Sequence, residues 1–176
     1  MKFLNIKTND CRDGDKLKHL SNPEKKKLNK VTKCIFLYNS SLKSILSHIR
    51  RNWAFRQCKK LGNPNNLRRR QISHLPTYFN LVKKHRKDLF GIHHQFTNWI
   101  NANTKFPILF LNFNDVLDNK EILDKFIGKK LNYNHFNIRK RNSSSRNNNI
   151  DNSITKIYNN LDKFISEKSN RHNSEN

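Results

Sequence analysis

The chain has 176 residues, 34% of them hydrophobic, and its 36 Lys and Arg outnumber 13 Asp and Glu to give a formal net charge of +23. This length is typical of one domain with a modest core. The charge predicts an anionic partner, such as nucleic acid, an anionic membrane, or a phosphorylated or sulfated ligand. The same Lys- and Asn-rich composition is also typical of a charged surface that binds only water and salt. The longest apolar runs are too short for a transmembrane helix or a signal peptide.

The cysteines and histidines carry no metal-site pattern. The three cysteines, Cys11, Cys34 and Cys58, are odd in number, and no two of them have metal-ligand spacing. We interpret them as buried free thiols in a reducing, intracellular compartment. His93 and His94 have no carboxylate or cysteine at ligand spacing beside them, so we predict no metal.

The first third of the chain predicts a basic arm followed by a β–α unit. Residues 1–30 are polar and lysine-rich and are interpreted as a basic N-terminal arm. Val31–Tyr38 is predicted to be a strand covered on both faces, because Cys34 opens an unbroken apolar run. One amphipathic helix to about Lys60 is predicted by the helical spacing of apolar residues, namely Leu42, Ile45, Leu46, Ile49 and Trp53. Such a strand–turn–helix unit binds phosphate in many α/β folds.

Segment 65–87 is the most basic part of the chain. Pro76 suits the first turn of a helix that would run to about Phe90. Two aromatics, Tyr78 and Phe79, are interleaved with the cations, and such a mixture can contact a nucleic-acid backbone and stack bases. The candidate contacts are Arg68, Arg69, Arg70, Lys83, Lys84 and Arg86. The alternative is a solvated face with a few apolar anchors.

Segment 96–131 predicts a helix end, a buried strand, a turn and a second helix. Phe96, Trp99 and Ile100 share one helical face and are predicted to lie in the core. The apolar run 107–111 suits a strand buried on both faces. Asp118 is predicted to cap the next helix, which Gly128 ends.

The last part of the chain predicts a basic loop, a helix and a disordered tail. Residues 136–146 are rich in Arg and Ser, and a polar linker begins at residue 147. Apolar spacing over 150–165 predicts a final amphipathic helix, and 166–176 is predicted to be disordered. The predicted boundaries are therefore an arm at 1–30, an α/β domain at 31–146, and linker, helix and tail at 147–176.

Part of this pattern resembles the C-terminal half of sulfotransferases. The resemblance rests on Trp99, the strand Ile108-Leu-Phe-Leu-Asn-Phe-Asn-Asp115, and the helix end Phe126-Ile-Gly128. In that family a buried strand of the form "vLflrYEdl" precedes a capped helix ending in "FLG". Here Asn112 and Asn114 stand at the positions of the usual basic residue and glutamate. The resemblance covers roughly residues 31–146 and implies an α/β fold with a small parallel sheet flanked by helices. This would be an incomplete P-loop NTPase-like fold with strands 34–38 and 108–112 as neighbours.

The resemblance also implies a site for the sulfate donor PAPS (3′-phosphoadenosine 5′-phosphosulfate). Ser47 matches the family serine that holds the 3′-phosphate, whereas Asn39 stands where the family has its arginine. Arg139, Lys140 and Arg141 match the late basic loop that surrounds the same phosphate.

The glycine-rich phosphate loop of the family has no counterpart among the four glycines of this chain, which are Gly14, Gly62, Gly91 and Gly128. The resemblance therefore implies a truncated, divergent relative. It would either transfer sulfate from PAPS to a hydroxyl acceptor or only bind anions, with a partner chain as one source of the missing strand. The alternative is a basic nucleic-acid-binding protein that contacts the phosphate backbone.

Overall fold

The computed structural model describes residues 20–25, 31–134 and 150–175. Within these ranges the chain is a mixed α/β protein with two strands and seven α-helices, which confirms the predicted class. The elements in chain order are β1 (Cys34–Tyr38), α1 (Ser41–Arg50), α2 (Ala54–Lys60), α3 (Arg69–Ser73), α4 (Leu75–His85), α5 (Ile92–Ile100), β2 (Ile108–Asn112), α6 (Lys120–Ile127) and α7 (Asn152–Glu175). Short 3-10 helices lie at Pro23–Lys25 and Phe113–Asp115.

The two strands lie side by side and parallel, as predicted. The register pairs Cys34 with Ile108 and Tyr38 with Asn112. The Cys34 N–H donates to the Pro107 carbonyl at 3.0 Å, which continues the ladder one residue before β2. Parallel strands require a long crossover, and helices α1–α5 supply it. Within the described ranges the sheet has two strands, so a third strand from a partner chain stays a prediction.

The main core lies on one face of the sheet. Phe36 of β1 and Phe110 of β2 pack against each other with ring centroids 5.2 Å apart. Phe96 of α5 meets Phe110 edge-on at 5.6 Å, and Trp99 lies 5.5 Å from Phe36. Phe96 and Trp99 are both buried, which confirms the predicted inward face of α5. Helix α7 closes this core with four buried side chains: Ile154, Tyr158, Leu161 and Ile165.

A smaller cluster covers the other face of the sheet, and it is centred on β2. It contains Leu109 and Leu111 together with residues that follow β2, namely Val116, Leu123 and Leu131. The prediction that β2 is buried on both faces is confirmed. The same prediction for β1 is wrong at Leu37, whose side chain is 40% exposed, because the cluster lies over β2 and leaves the end of β1 uncovered.

The predicted single helix from Leu42 to Lys60 is two helices. Asn52 adopts a left-handed conformation with φ 56°, which ends α1. Its N–H donates to the Ile49 carbonyl at 2.9 Å, and the Trp53 N–H donates to the His48 carbonyl at 2.9 Å. Asn tolerates this conformation better than most residues. The break rotates the chain, so Trp53 does not continue the buried face of α1.

Helix α6 ends at the predicted residue but does not begin with the predicted cap. Asn119, and not Asp118, occupies the N-cap position, and no side chain there accepts a capping hydrogen bond. Asp118 belongs to the preceding turn, in which its N–H donates to the Asp115 carbonyl at 3.1 Å. Gly128 ends the helix as predicted, in a left-handed conformation with φ 84° that glycine adopts without steric cost.

The disordered tail predicted for 166–176 is wrong, because α7 is helical to Glu175. Ser169 is fully buried, one turn beyond Ile165. The Asn173 side-chain amide bonds the backbone of Phe110 twice. It accepts from the Phe110 N–H at 3.1 Å and donates to the Phe110 carbonyl at 2.7 Å. This polar end of the helix is therefore fixed by the sheet edge, which a composition argument does not reveal.

Part of the predicted N-terminal arm packs on the domain. The Trp99 indole N–H and the Gln95 side chain donate to the Leu20 carbonyl at 2.8 and 3.0 Å. Asn98 donates to the Ser21 carbonyl at 3.0 Å. The rest of the arm, 1–19 and 26–30, lies outside the described residues. Among the helices that the structure describes, none combines the length and apolar character needed to cross a bilayer.

Candidate functional site

Positive charge is concentrated in one segment of the chain. Residues 25–87 contain eighteen Lys and Arg and no Asp or Glu. Helices α1 to α4 fall in this segment, and each packs on the next. We call these four helices, with their exposed cations, the basic helical layer. Its Lys and Arg side chains, all exposed, are Lys43, Arg50, Arg51, Arg56, Lys59, Lys60, Arg69, Arg70, Lys83 and Lys84, with Arg68, Arg86 and Lys87 at helix ends.

Few carboxylates of the chain neutralise this layer. In the described ranges two ion pairs form, Lys83 with Asp151 and Lys163 with Glu167, and the second lies on α7 outside the layer. The pair with Lys83, aided by Ser153, lowers the pKa of Asp151 to about 2. The remaining cations of the layer have no carboxylate partner there. A surface of one sign with few internal counter-ions attracts anions over a distance of about one Debye length, roughly 8–10 Å.

The structure does not bring the six predicted nucleic-acid contacts to one point. Arg68 begins α3 as its N-cap, where its N–H bonds the Gln71 side chain at 2.7 Å, and Arg69 and Arg70 follow in the first turn. Lys83 and Lys84 lie in the last turn of α4, and Arg86 follows in a left-handed conformation. Lys83 and Lys84 lie eight and nine residues after the first residue of α4, which is about 12–14 Å along the helix axis at 1.5 Å per residue. The six cations therefore occur as two groups, one at the start of α3 and one at the end of α4.

The aromatic pair predicted among these cations is not available for stacking. Tyr78 is fully buried, and its hydroxyl lies 2.5 Å from the hydroxyl of Tyr158 on α7. Phe79 is half-buried and packs against the core. Burial raises the pKa of both tyrosines well above the usual value, so both stay neutral at neutral pH. Tyr78 therefore lies on the buried side of α4, where its contact with Tyr158 links α4 to α7.

A cavity of about 530 Å³ lies beside the end of α4. Arg86, Lys87 and His94 line one wall, and Phe164 of α7 lines another. The carboxylate of Asp88 lies inside and accepts backbone N–H bonds at the start of α5, from Phe90 at 2.9 Å, Gly91 at 3.2 Å and His93 at 2.9 Å. Burial raises the pKa of Asp88, and these hydrogen bonds oppose the shift. Asp88 is therefore a structural cap of α5 that places a carboxyl group among the cavity's cations.

The site implied by the sulfotransferase resemblance is described only at Ser47. Ser47 lies half-buried in the second half of α1, and its carbonyl accepts the Arg51 N–H at 3.2 Å. The Ser41 N–H, at the start of α1, is bonded at 2.9 Å to the Asp162 carboxylate of α7. The Asp162 carboxylate therefore occupies one of the N–H groups that would otherwise bind an anion at this helix N-terminus. Arg139, Lys140 and Arg141 lie outside the described residues.

The predicted thiols Cys34 and Cys58 are free and buried, which confirms that interpretation for two of the three cysteines. Burial raises the pKa of Cys34 to about 11 and that of Cys58 to about 12. Neither is a thiolate at neutral pH, so neither is suited to nucleophilic chemistry. In the part of the chain that the structure describes, no three His, Cys, Asp or Glu side chains form a group that could hold a metal ion.

Sequence reasoning missed Trp53, which it placed in the core. The ring is 59% exposed, between α1 and α2. Arg50 and Arg51 precede it, and Arg56 follows one turn later. The signal that points to it is Asn52, because an Asn after ten helical residues is a frequent left-handed helix end.

Comparison with known proteins found no matching family model, no matching curated protein and no matching solved structure.

Proposed function

We propose that this protein binds nucleic acid through the phosphate backbone, using the basic helical layer. The observation that carries the proposal is the segment 25–87, in which eighteen cations occur without one acidic residue. The described cations of this segment are exposed, and Lys83 alone among them has a carboxylate partner within the described ranges. Apart from Lys83, the described cations of the segment are therefore available to phosphates.

We propose that the cations at the start of α3 and at the end of α4 contact different phosphates of one strand. A nucleic-acid strand carries one charge per about 3.4 Å of helix axis, so the rise of about 12–14 Å along α4 to Lys83 and Lys84 corresponds to about four phosphates. Such contacts position a protein on nucleic acid without reading its sequence. We therefore propose binding with little sequence preference.

Salt dependence tests this function. The full chain is titrated with a labelled 20-nucleotide single strand and a 20-base-pair duplex, by fluorescence anisotropy, between 50 and 200 mM NaCl. We expect log K to fall with log salt with a slope of about −2 or steeper, since three or more phosphate contacts each release about 0.7–0.9 counterion. A slope near zero, or no binding to either probe at 50 mM NaCl, would contradict the proposal.

A second candidate function is binding of PAPS, within an incomplete P-loop-like fold, as the sulfotransferase resemblance implies. The observation in its favour is the order β1, polar turn, α1, with β1 parallel to β2 and Ser47 on α1. The carboxylate of Asp162 on α7 already accepts the Ser41 N–H at the start of α1, which argues against a bound anion at that turn. We rank this function second for that reason.

Calorimetric titration with adenosine 3′,5′-bisphosphate at fixed salt separates the two candidates. Micromolar binding that Ser47→Ala removes would support a donor site and justify assays of sulfate transfer to hydroxyl acceptors. Ser44→Ala is the matched control, because Ser44 lies on the same helix and its hydroxyl donates to the Ser40 carbonyl at 2.9 Å. If the protein binds oligonucleotides in a salt-dependent way and does not bind the bisphosphate, nucleic-acid binding is the remaining candidate.

A further inference from the structure

Trp53 is held rigidly in an exposed position. Its N–H donates to the His48 carbonyl at 2.9 Å, and its carbonyl accepts the Gln57 N–H at 2.9 Å. The backbone is therefore tied to α1 on one side and to α2 on the other. The indole is 59% exposed, whereas the other tryptophan, Trp99, is 2% exposed and bonded to the Leu20 carbonyl. Exposure of this ring is a property of the folded junction between two helices.

The charged residues nearest to Trp53 in the sequence are all basic. Arg50 and Arg51 lie within three residues before it, in the turn that ends α1. Arg56 lies three residues after it on α2, and residues three apart on a helix share a face. Segment 25–87 places no carboxylate in this neighbourhood of the chain. An exposed tryptophan with three arginines close to it in the sequence therefore lies within the basic helical layer. The Nε of one of them, Arg50, donates to the Leu46 carbonyl at 3.3 Å.

We propose that Trp53 is a stacking platform for an unpaired nucleobase, and that Arg50, Arg51 and Arg56 hold the phosphates on either side of that base. This inference rests on the proposed nucleic-acid binding and adds the class of ligand, which is single-stranded nucleic acid. In a duplex each base is already stacked between its neighbours, so only a single strand offers a free face to the indole. Stacking on an aromatic ring accepts any base, which agrees with binding of low sequence preference.

An anionic membrane surface is the other ligand that Trp and Arg together can indicate. A membrane-binding surface needs a contiguous group of apolar side chains. The other exposed large apolar residues of the described ranges are Leu37, Phe113 and Ile122. Leu37 lies in the last part of β1, Phe113 directly follows β2, and Ile122 lies on α6. Ten residues of α1, about 15 Å of helix, stand between the end of β1 and the junction that carries Trp53. One ring among arginines favours stacking over membrane insertion.

Tryptophan fluorescence tests the inference directly, because the chain has two tryptophans and one of them is buried. The full chain is titrated at fixed salt with a deoxythymidine 20-mer, whose bases are unstacked, and with inorganic polyphosphate, which has charge but no bases. We expect the oligonucleotide to quench the exposed fraction of the emission and polyphosphate to bind without quenching. In Trp53→Ala the affinity for the 20-mer should fall about 5- to 150-fold. Affinity for polyphosphate should change less than about twofold, and Trp53→Phe should restore part of the loss.

Three outcomes would overturn the inference, and they are distinguishable. Salt-dependent binding of the 20-mer without quenching, and unchanged in Trp53→Ala, would reject the stacking platform and leave the proposed function intact. Binding of polyphosphate but of no oligonucleotide would reject both. Binding to vesicles of anionic phospholipid with a blue shift of the Trp53 emission, and no binding of the 20-mer, would assign the ring to a membrane surface. The thermal midpoint of Trp53→Ala should match the parent protein, since the ring is outside the core.

Discussion

Replacing Arg68, Arg69 and Arg70 together by glutamine is expected to weaken nucleic-acid binding about 100- to 500-fold near 0.1 M salt, and to make the salt slope shallower by about 2–3. The three arginines lie at the start of α3, and each is exposed. Each lost phosphate contact removes about 0.7–0.9 from the slope, and the loss in affinity follows from that change. Fluorescence anisotropy with the 20-mer at several salt concentrations measures both quantities.

The matched control removes three charges elsewhere on the surface. Lys105, Lys125 and Lys130 are exposed and lie outside segment 25–87. Their combined replacement by glutamine changes the net charge by the same amount, and we expect the salt slope to be nearly unchanged. Equal losses in the two variants would mean that net charge alone drives binding, and the basic helical layer would then not be a site.

Phe110→Ala is expected to lower the free energy of unfolding by about 3–5 kcal/mol, which is the usual range for a fully buried Phe. Phe110 is 1% exposed and contacts the rings of Phe36 and Phe96. Helix α7 also reaches this residue, through the His172 ring, 5.0 Å away. Removing the side chain leaves a cavity where the sheet, α5 and α7 meet. Urea denaturation followed by circular dichroism measures the change, and the variant may be examined at 10 °C to keep it folded.

Leu37→Ala provides the comparison on the neighbouring strand. Its side chain is 40% exposed, so most of its transfer free energy is not gained on folding, and we expect a loss below about 1 kcal/mol. A similar loss for the two variants would mean that Phe110 contributes no more to the core than the half-exposed Leu37 does. A loss for Phe110→Ala under about 1 kcal/mol would contradict the packing described for the main core.

The two strands could be predicted from the sequence because their signals are local. Each strand is an unbroken apolar run, and the run at 107–111 begins with a proline that cannot continue a helix. Gly128 likewise carries its own signal, since a left-handed helix end favours glycine. The resemblance implied that the two strands are parallel neighbours, and the structure shows them parallel with Cys34 opposite Ile108.

Most of the features that could not be predicted depend on contacts between distant residues. Trp53 is the exception, because it fits the apolar spacing of α1 and the left-handed conformation of the adjacent Asn52 takes it out of the core. Tyr78 lies among cations in the sequence, but its partner Tyr158 is eighty residues away. Residues 166–175 are polar in composition, and they stay helical because Ser169 and Asn173 meet the core and the edge of β2.

In the candidate site, too, some features could be predicted from the sequence and others could not. The cations at Arg68–Arg70 and Lys83–Arg86 are visible in the sequence as a basic block, but composition does not say which cations have internal partners. The fold supplies that information, because Lys83 meets Asp151 and Asp162 turns to the N-terminus of α1. The fold places one group of cations at the start of α3 and the other at the end of α4.

The bonds between Asn173 and Phe110 have a consequence for how the chain is made. They join residues 63 positions apart, and the hydrogen bond between Tyr78 and Tyr158 joins residues 80 positions apart. A growing chain on the ribosome therefore cannot complete this core until most of α7 has emerged. Until then the apolar edge of β2 is uncovered, which is the condition in which strands aggregate. Meanwhile the cationic segment 25–87 has already left the exit tunnel, next to ribosomal RNA. We expect folding to be a late, cooperative event that requires α7, and the nascent chain to be a substrate for chaperones before that point.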